Sequence, residues 1–198
     1  DAIKDNIDYK NDGVIAQHFS QYFPQYSPSN LRFYPLYLNN RVKFESALMK
    51  DKLYNIFEIN NFNIDILKSN KVYIKGGAIL RLFMGIPLTD ADLDLYFLDS
   101  KYFKRVDDYF NEHYEFLHET PNTKSYKCGE LEFELVGHPY LIGTYDDNSL
   151  MSDFTISVGC FDFETESFKY PDTYLNDVES KKLRIHRLEE EPTQGRSW

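Results

Sequence analysis

One stretch, residues 72–97, constrains the fold of this chain more than any other. The β-forming residues 72–74 precede a glycine pair, Gly76 and Gly77. Apolar residues then recur at helical spacing until the turn-forming segment 85–89 interrupts them. A second, mostly apolar run follows and opens with spaced aspartates. The stretch therefore predicts a strand, a short helix and a second strand in direct succession.

The glycine pair and the aspartates predict a phosphate and metal site. Adjacent glycines before a helix let backbone N–H groups approach an anion, and the helix dipole favours negative charge there. Asp92 and Asp94 lie two residues apart on a strand, so their side chains share one face. Mg²⁺ is usually held by one or two carboxylates plus substrate phosphates. We therefore expect Asp92 and Asp94 to bind metal, and Gly76 and Gly77 to contact phosphate.

Other interpretations of these motifs fit less well. The run DADLD resembles the start of an EF-hand loop, but Leu95 and Lys101 stand where that loop needs Gly and Glu. The glycine pair matches neither GxGxxG nor a Walker A motif, and the five histidines lack zinc-site spacing. A tight glycine turn followed by an acidic loop remains open as the simplest alternative.

Composition limits the class of protein. The 198 residues suit one α/β domain with short appendages, and a hydrophobic content of 42% argues against wholesale disorder. A net charge of -10 opposes the binding of long nucleic acid, which depends on Lys and Arg. The two cysteines suit a reducing compartment, and no apolar run reaches the ~20 residues of a membrane helix. We expect a cytoplasmic protein without a membrane partner. Its Asn- and Tyr-rich composition favours a phage or low-GC bacterial genome.

The chain divides into three predicted regions. Residues 1–69 form an N-terminal arm and packing helices, with a helix over 42–59 and a second apolar stretch over 62–67. The aromatic arm either packs on the domain or offers a stacking platform for bases. Residues 70–188 form the main domain. Residues 189–198 form a disordered tail.

The second half of the main domain predicts further elements. The pattern favours a helix over 101–117 capped by Ser100, with a strand beginning at Phe116. A hairpin over 124–136 turns near Gly129, and its last strand carries Glu132 and Glu134 on one face. Residues 138–150 are expected to form an irregular connection. Alternating apolar residues over 154–160 predict another strand.

The motifs resemble the nucleotidyltransferase superfamily of DNA polymerase β. The resemblance is greatest to the head domain of bacterial poly(A) polymerases and CCA-adding enzymes, and it spans residues 70–188. The matching residues are Gly76, Gly77, Gly85, Pro87, Asp92 and Asp94, with Asp153, Phe154, Thr155 and Ile156 matching a second family motif. The resemblance implies an α/β (α+β) fold with a mixed sheet of about five strands and helices mainly on one side.

The resemblance also implies roles for three further residues. The family commonly takes a third carboxylate from the strand beside its Asp-x-Asp strand, and Glu134 stands at that position. Glu134 would complete the metal site or help deprotonate the acceptor; the alternative is an ordinary polar strand face. Asp153 would lie near the nucleotide sugar. Arg81 is displaced by one residue from the usual motif arginine.

The second family motif departs from the pattern as well. Met151 and Ser152 replace two arginines that precede it in the family. Triphosphate binding would then need a substitute cation, for which Lys75 and Arg81 are the candidates.

The activity implied is Mg²⁺-dependent transfer of a nucleoside monophosphate from an NTP such as ATP. Two Mg²⁺ ions would be held by Asp92, Asp94 and Glu134, and the acceptor hydroxyl would belong to RNA, a small molecule or a protein. The helical neck and body that follow the head in this family are absent from residues 189–198. The alternative is a catalytically silent nucleotide-binding or interaction module that keeps the fold.

Overall fold

A seven-stranded mixed sheet carries the fold of the described residues. The computed structural model describes residues 41–89 and 91–186, with side chains from residue 46 onward. The strands are β1 (Val72–Lys75), β2 (Asp92–Phe97), β3 (Glu115–Glu119), β4 (Thr123–Cys128), β5 (Leu131–Val136), β6 (Cys160–Asp162) and β7 (Ser167–Lys169). They lie in the order β3-β4-β5-β2-β1-β6-β7, and β2 and β5 are parallel, whereas the other neighbouring pairs are antiparallel.

Six helices accompany these strands in the described part of the chain. They are α1 (Arg41–Ile59), α2 (Asp65–Ser69), α3 (Gly77–Met84), α4 (Ser100–His113), α5 (Tyr145–Ser149) and α6 (Tyr174–Glu179), with a 3-10 turn at Thr155–Ser157. The chain divides into two compact units, Asp1–Leu48 and Met49–Trp198, and the whole sheet belongs to the second. The predicted division at residue 70 stays a prediction.

One face of the sheet forms the hydrophobic core. Leu93 and Leu95 of β2 and Phe133 of β5 are fully buried on this face. Helices α1 to α4 cover it with Leu53, Phe57, Leu67, Ala78, Ile79, Leu82, Val106 and Phe110, all in one cluster. Burying each large side chain contributes about 1.5–3 kcal/mol, so this layer supplies most of the stability of the domain. The predicted α/β class with a mixed sheet and helices mainly on one side is confirmed.

Several predicted boundaries need correction. The sheet has seven strands where about five were expected, because edge strands β3 and β7 extend it. Helix α4 ends at His113, since Tyr114 adopts extended backbone angles. Ser100 is the first residue of α4 and not its cap. The cap is Asp99, whose carboxylate accepts the Lys101 N–H at 2.8 Å.

The segment around the second family motif was predicted wrongly. Residues 138–150 contain α5. The predicted strand over 154–160 is interrupted by the 3-10 turn at Thr155–Ser157, with an isolated bridge from Phe154 to Ile185 before it and Cys160 alone reaching the sheet. The Thr155 N–H donates to the Arg184 carbonyl at 3.0 Å, and its hydroxyl donates to Asp177 at 2.9 Å. These long-range bonds hold Thr155 against the C-terminal segment and not in the sheet, so tertiary contacts overrode the alternating pattern.

Two predictions lie outside the described residues. The aromatic arm over residues 1–40 and the tail over 189–198 both fall there. Within the described part of the chain, no helix combines the length and the hydropathy needed to cross a bilayer.

Candidate functional site

The glycine pair shapes the junction between β1 and α3. Gly76 caps α3 with φ +90° and ψ −132°, backbone angles that favour glycine. Its N–H donates to the Gly159 carbonyl at 3.0 Å, which fixes the junction to the segment before β6. A Cβ at either Gly76 or Gly77 would meet no atom within 4 Å. The N-terminal end of α3 therefore has room for a ligand against its backbone.

The parallel pairing of β2 and β5 brings carboxylates together. Asp94 lies opposite Glu134, and Asp92 lies opposite Glu132. Directly opposed residues on neighbouring strands project from the same face at a strand spacing of about 4.8 Å. The carboxyl groups of Asp94 and Glu134 are therefore close enough to interact, and the neighbouring Glu134 carboxyl raises the pKa of Asp94. The strand register thus places Glu134 beside Asp94, and the metal-binding role of Asp92, Asp94 and Glu134 stays a prediction.

Burial and like charge disfavour ionisation of this pair. Burial together with the neighbouring carboxylates of Glu134 and Asp92 raises the pKa of Asp94 to about 7, whereas Lys75 opposes the rise. A cation or a proton is therefore needed to neutralise the pair. Oxygen donors of this kind suit Mg²⁺, which takes one or two carboxylates together with phosphate oxygens. The described residues hold no cluster of three or more potential metal ligands, so the fit rests on the pair alone.

Lys75 is the cation beside the acidic pair. It is 8% exposed, and continuation of the β1–β2 register places it opposite Asp94. Its ammonium donates to the Ser152 hydroxyl at 2.9 Å and to the Asn148 carbonyl at 3.3 Å. Burial lowers its pKa, and the nearby Asp94 carboxylate opposes that shift. Because its hydrogen bonds go to protein groups, Lys75 acts on Asp94 through charge.

A strap, residues 141–152, covers the β1 end of the polar face. The Tyr73 hydroxyl donates to the Gly143 carbonyl at 3.1 Å. The side-chain amide of Asn148 donates to the Tyr73 hydroxyl and to the Leu141 carbonyl, the latter at 2.9 Å. Asn148 is 2% exposed, so these bonds are shielded from water. The hydrogen bonds described for the strap go to β1, and none of them reaches β5, β4 or β3.

The strap was not predicted from the sequence, although one signal was present. Thr144 and Asp147 form a capping box in which each side chain receives the other residue's backbone N–H. That pattern, read as T-x-x-D, predicts the start of α5. No comparable signal marks Tyr73 or Asn148, whose pairing joins residues 75 positions apart.

The two remaining predicted nucleotide contacts lie elsewhere. Arg81 donates from its guanidinium to the Pro87 carbonyl at 3.2 Å and so closes the turn between α3 and β2. Asp153 is half-buried, and its carbonyl accepts the His186 N–H at 2.8 Å. These two hydrogen bonds serve the turn and the C-terminal segment, and neither joins the acidic pair.

Comparison with known proteins gives a family match. Residues 44–181, more than half of the chain, match the family model described as Gad2: Gabija anti-defense 2 family protein. A Gabija anti-defense 2 protein of Bacillus phage SPbetaL7 is 26% identical over 140 residues. The match covers 69% of this chain but only 33% of that relative, so the chain spans about a third of its length.

Two solved structures with a similar fold are those of CCA-adding enzymes. A Thermotoga maritima CCA-adding enzyme complexed with tRNA gives a TM-score of 0.50 at 16% identity, covering 69% of this chain and 33% of that one. A CCA-adding enzyme in complex with CTP gives 0.50 at 16% identity, covering 69% and 34%. At this identity the likeness shows the nucleotidyltransferase fold, as the sequence motifs predicted.

Proposed function

The chain belongs to the Gabija anti-defense 2 family, and from that premise we propose that it is a nucleotidyltransferase with an anti-defence role. The reaction transfers a nucleoside monophosphate from an NTP to an acceptor hydroxyl. The observation that carries the proposal is the contact of the Asp94 and Glu134 carboxyl groups on adjacent parallel strands. Two acidic groups held together at a stability cost are typical of a functional site.

The chemistry proposed is a single displacement at the α-phosphorus. The acceptor oxygen forms a bond to the α-phosphorus, and the bond from that phosphorus to the bridging oxygen of the pyrophosphate breaks. Pyrophosphate leaves with the electron pair. The acceptor proton passes to a base, for which Glu134 is the candidate because it lies opposite Asp94 on β5, on the side of β2 away from β1 and the strap. Positioning and charge neutralisation supply most of the catalysis in such reactions.

Magnesium is part of the proposal. Asp94 and Glu134 are the residues that would hold it, and Asp92, on the same face of β2, is the further ligand expected from the motif. Their oxygen donors match the preference of Mg²⁺. When bound, Mg²⁺ would neutralise phosphate charge and lower the pKa of the attacking hydroxyl. A pair of ions is the expectation drawn from the resemblance of the motifs.

Nucleotide binding would use the β1 side of the polar face, on the other side of Asp94 from Glu134. Gly76 and Gly77 offer the uncovered N-terminal end of α3, where backbone N–H groups and the helix dipole favour phosphate. Lys75 would act at a distance because its hydrogen bonds are internal. Arg81 and Asp153 would contact the nucleotide only after leaving their present partners.

The proposal also covers the acceptor and the cellular role. The relative's name describes action against the Gabija defence, and we propose that this chain serves the same end in the bacterial cytoplasm. The acceptor is RNA, a small molecule or a protein. The net charge of -10 disfavours long nucleic acid.

Label transfer tests the proposal directly. Wild-type protein, incubated with each α-labelled NTP, Mg²⁺ and a panel of RNA, small-molecule and protein acceptors, is expected to label one acceptor class. Asp94→Asn should lower the rate at least about a hundredfold, because it removes a carboxylate from the reacting centre. Asp108→Asn on the exposed side of α4, which pairs with Lys104, is the matched control and should retain full activity.

A silent nucleotide-binding module is the second candidate function. It is favoured by the internal commitment of Lys75 and by the missing third ligand among the described residues. Calorimetric titration of ATP with and without Mg²⁺ separates the two candidates when combined with the label assay. Nucleotide binding without transfer to any acceptor in the panel would favour the silent module.

A further inference from the structure

A row of polar side chains continues from the acidic pair toward the edge of the sheet. Cross-strand pairing places Asp94 opposite Glu134, Glu134 opposite Ser125, and Ser125 opposite His118. Directly opposed residues project from one face, so these four side chains follow one another across β2, β5, β4 and β3. The row leads away from the strap, which covers the β1 end.

Ser125 and His118 form a defined pair within that row. Ser125 is 1% exposed, and its hydroxyl lies 3.2 Å from Nε2 of His118, whose side chain is exposed. An imidazole held at one nitrogen presents its remaining polar edge in a fixed direction. The exposed imidazole of His118, two strands away from Glu134 and oriented by the buried hydroxyl of Ser125, is suited to receive a ligand group.

The geometry of the proposed reaction gives different roles to the two sides of Asp94 on the polar face. The uncovered N-terminal end of α3 follows β1, so the phosphates would enter from the β1 side of Asp94. Displacement at phosphorus proceeds with the attacking and leaving oxygens in line. If pyrophosphate leaves toward β1, the acceptor must approach from the side of β5, β4 and β3. His118 and Ser125 lie there.

The charges around this pair define the acceptor class. The neighbouring row across the same strands holds Glu115, Lys127, Glu132 and Asp92, three carboxylates to one lysine. A nucleic-acid backbone requires Lys and Arg to neutralise its phosphates. This side of the face therefore disfavours a polyanion and accommodates an uncharged or cationic acceptor.

Building on the proposed function, we propose that His118 and Ser125 form the acceptor subsite and that the acceptor is a side-chain hydroxyl of a protein. His118 hydrogen-bonds the acceptor directly, and Ser125 is a positioning residue that holds the imidazole. Glu134 lies between this subsite and Asp94, where it meets the reacting hydroxyl.

The test uses the full chain in parallel assays. Wild type, His118→Gln, His118→Asn and Ser125→Ala are incubated with α-labelled ATP or CTP and either nucleic-acid-free bacterial lysate protein or purified total RNA. His113→Gln is the control, since His113 stacks on Tyr109 of α4 in the opposite layer. Nucleotide dissociation constants are measured by calorimetry, and thermal unfolding verifies that each variant is folded.

We expect wild type to label protein. The His118 and Ser125 variants should label it about tenfold more slowly, because each loses about one hydrogen bond in the reacting complex. Nucleotide dissociation constants should stay within about twofold of wild type, which a general loss of structure would not allow. The control should match wild type in both measurements.

The outcomes separate the two levels of the proposal. Variants that label protein as fast as wild type overturn the subsite and leave the nucleotidyltransferase function standing. Label in RNA alone overturns the protein acceptor. No label from wild type in any arm, with Asp94→Asn behaving identically, overturns the proposed function and the subsite with it.

Discussion

The two faces of strands β2 and β5 differ sharply although they share one backbone. On the core face, Leu95 and Phe133 are fully buried among aromatic and aliphatic side chains. On the other face, Asp94 and Glu134 hold two carboxyl groups in contact. Strand alternation separates the two tasks: the core face stabilises the domain, whereas the polar face is destabilising until a proton or cation neutralises it.

The largest expected effect lies on the core face. Phe133 is fully buried, and its ring centroid is 4.4 Å from that of Phe62 in a stacked arrangement. Phe133→Ala should lower the free energy of unfolding by about 3–5 kcal/mol, because it leaves a cavity among rings that cannot collapse. Urea unfolding followed by circular dichroism measures the loss. A change below about 1 kcal/mol would mean that this face does not carry the stability.

On the polar face, a substitution is expected to raise the free energy of unfolding, the opposite of the effect on the core face. The folded pKa of Asp94 is raised to about 7 from 3.8, so its ionisation destabilises the fold progressively as pH rises between those values. Asp94→Asn should therefore leave stability nearly unchanged at pH 4. At pH 8, without Mg²⁺, it should increase stability by about 1–2 kcal/mol, since solvent at the site screens part of the repulsion.

Urea unfolding of wild type and Asp94→Asn across that pH range provides the measurement. Asp108→Asn is again the matched control and should follow the wild-type curve. A variant that is less stable than wild type at pH 8 would show that Asp94 contributes net favourable contacts. The contrast between the faces would then fail.

The smallest effect is expected in the strap. Thr144 caps α5 through its reciprocal bonds with Asp147. Thr144→Ala should lower the free energy of unfolding by about 0.5–1 kcal/mol, the usual contribution of a cap. Amide hydrogen exchange should accelerate in residues 141–152 and stay unchanged in β2 and β5. Faster exchange throughout the sheet would show that the strap and the core face unfold together.

Local chemistry explains why part of the fold was predictable. The β-forming run before Gly76, the apolar helix repeat and the spaced aspartates each act over a few residues, and the structure follows them closely. The segment over 154–160 shows the limit. Its alternation predicted a strand, yet bonds from Thr155 to the distant residues Asp177 and Arg184 set a turn.

The sequence by itself determined that Asp92 and Asp94 share a face, because side chains alternate along any strand. It also determined that the chain could turn sharply at the glycine pair, because glycine adopts backbone conformations that other residues avoid, as Gly76 does here. Only the tertiary structure decided that Glu134 meets Asp94, that Lys75 is committed to the strap and that His118 continues the row. Those relations depend on which strands pair and in what register, and register is set by the packing of the whole sheet.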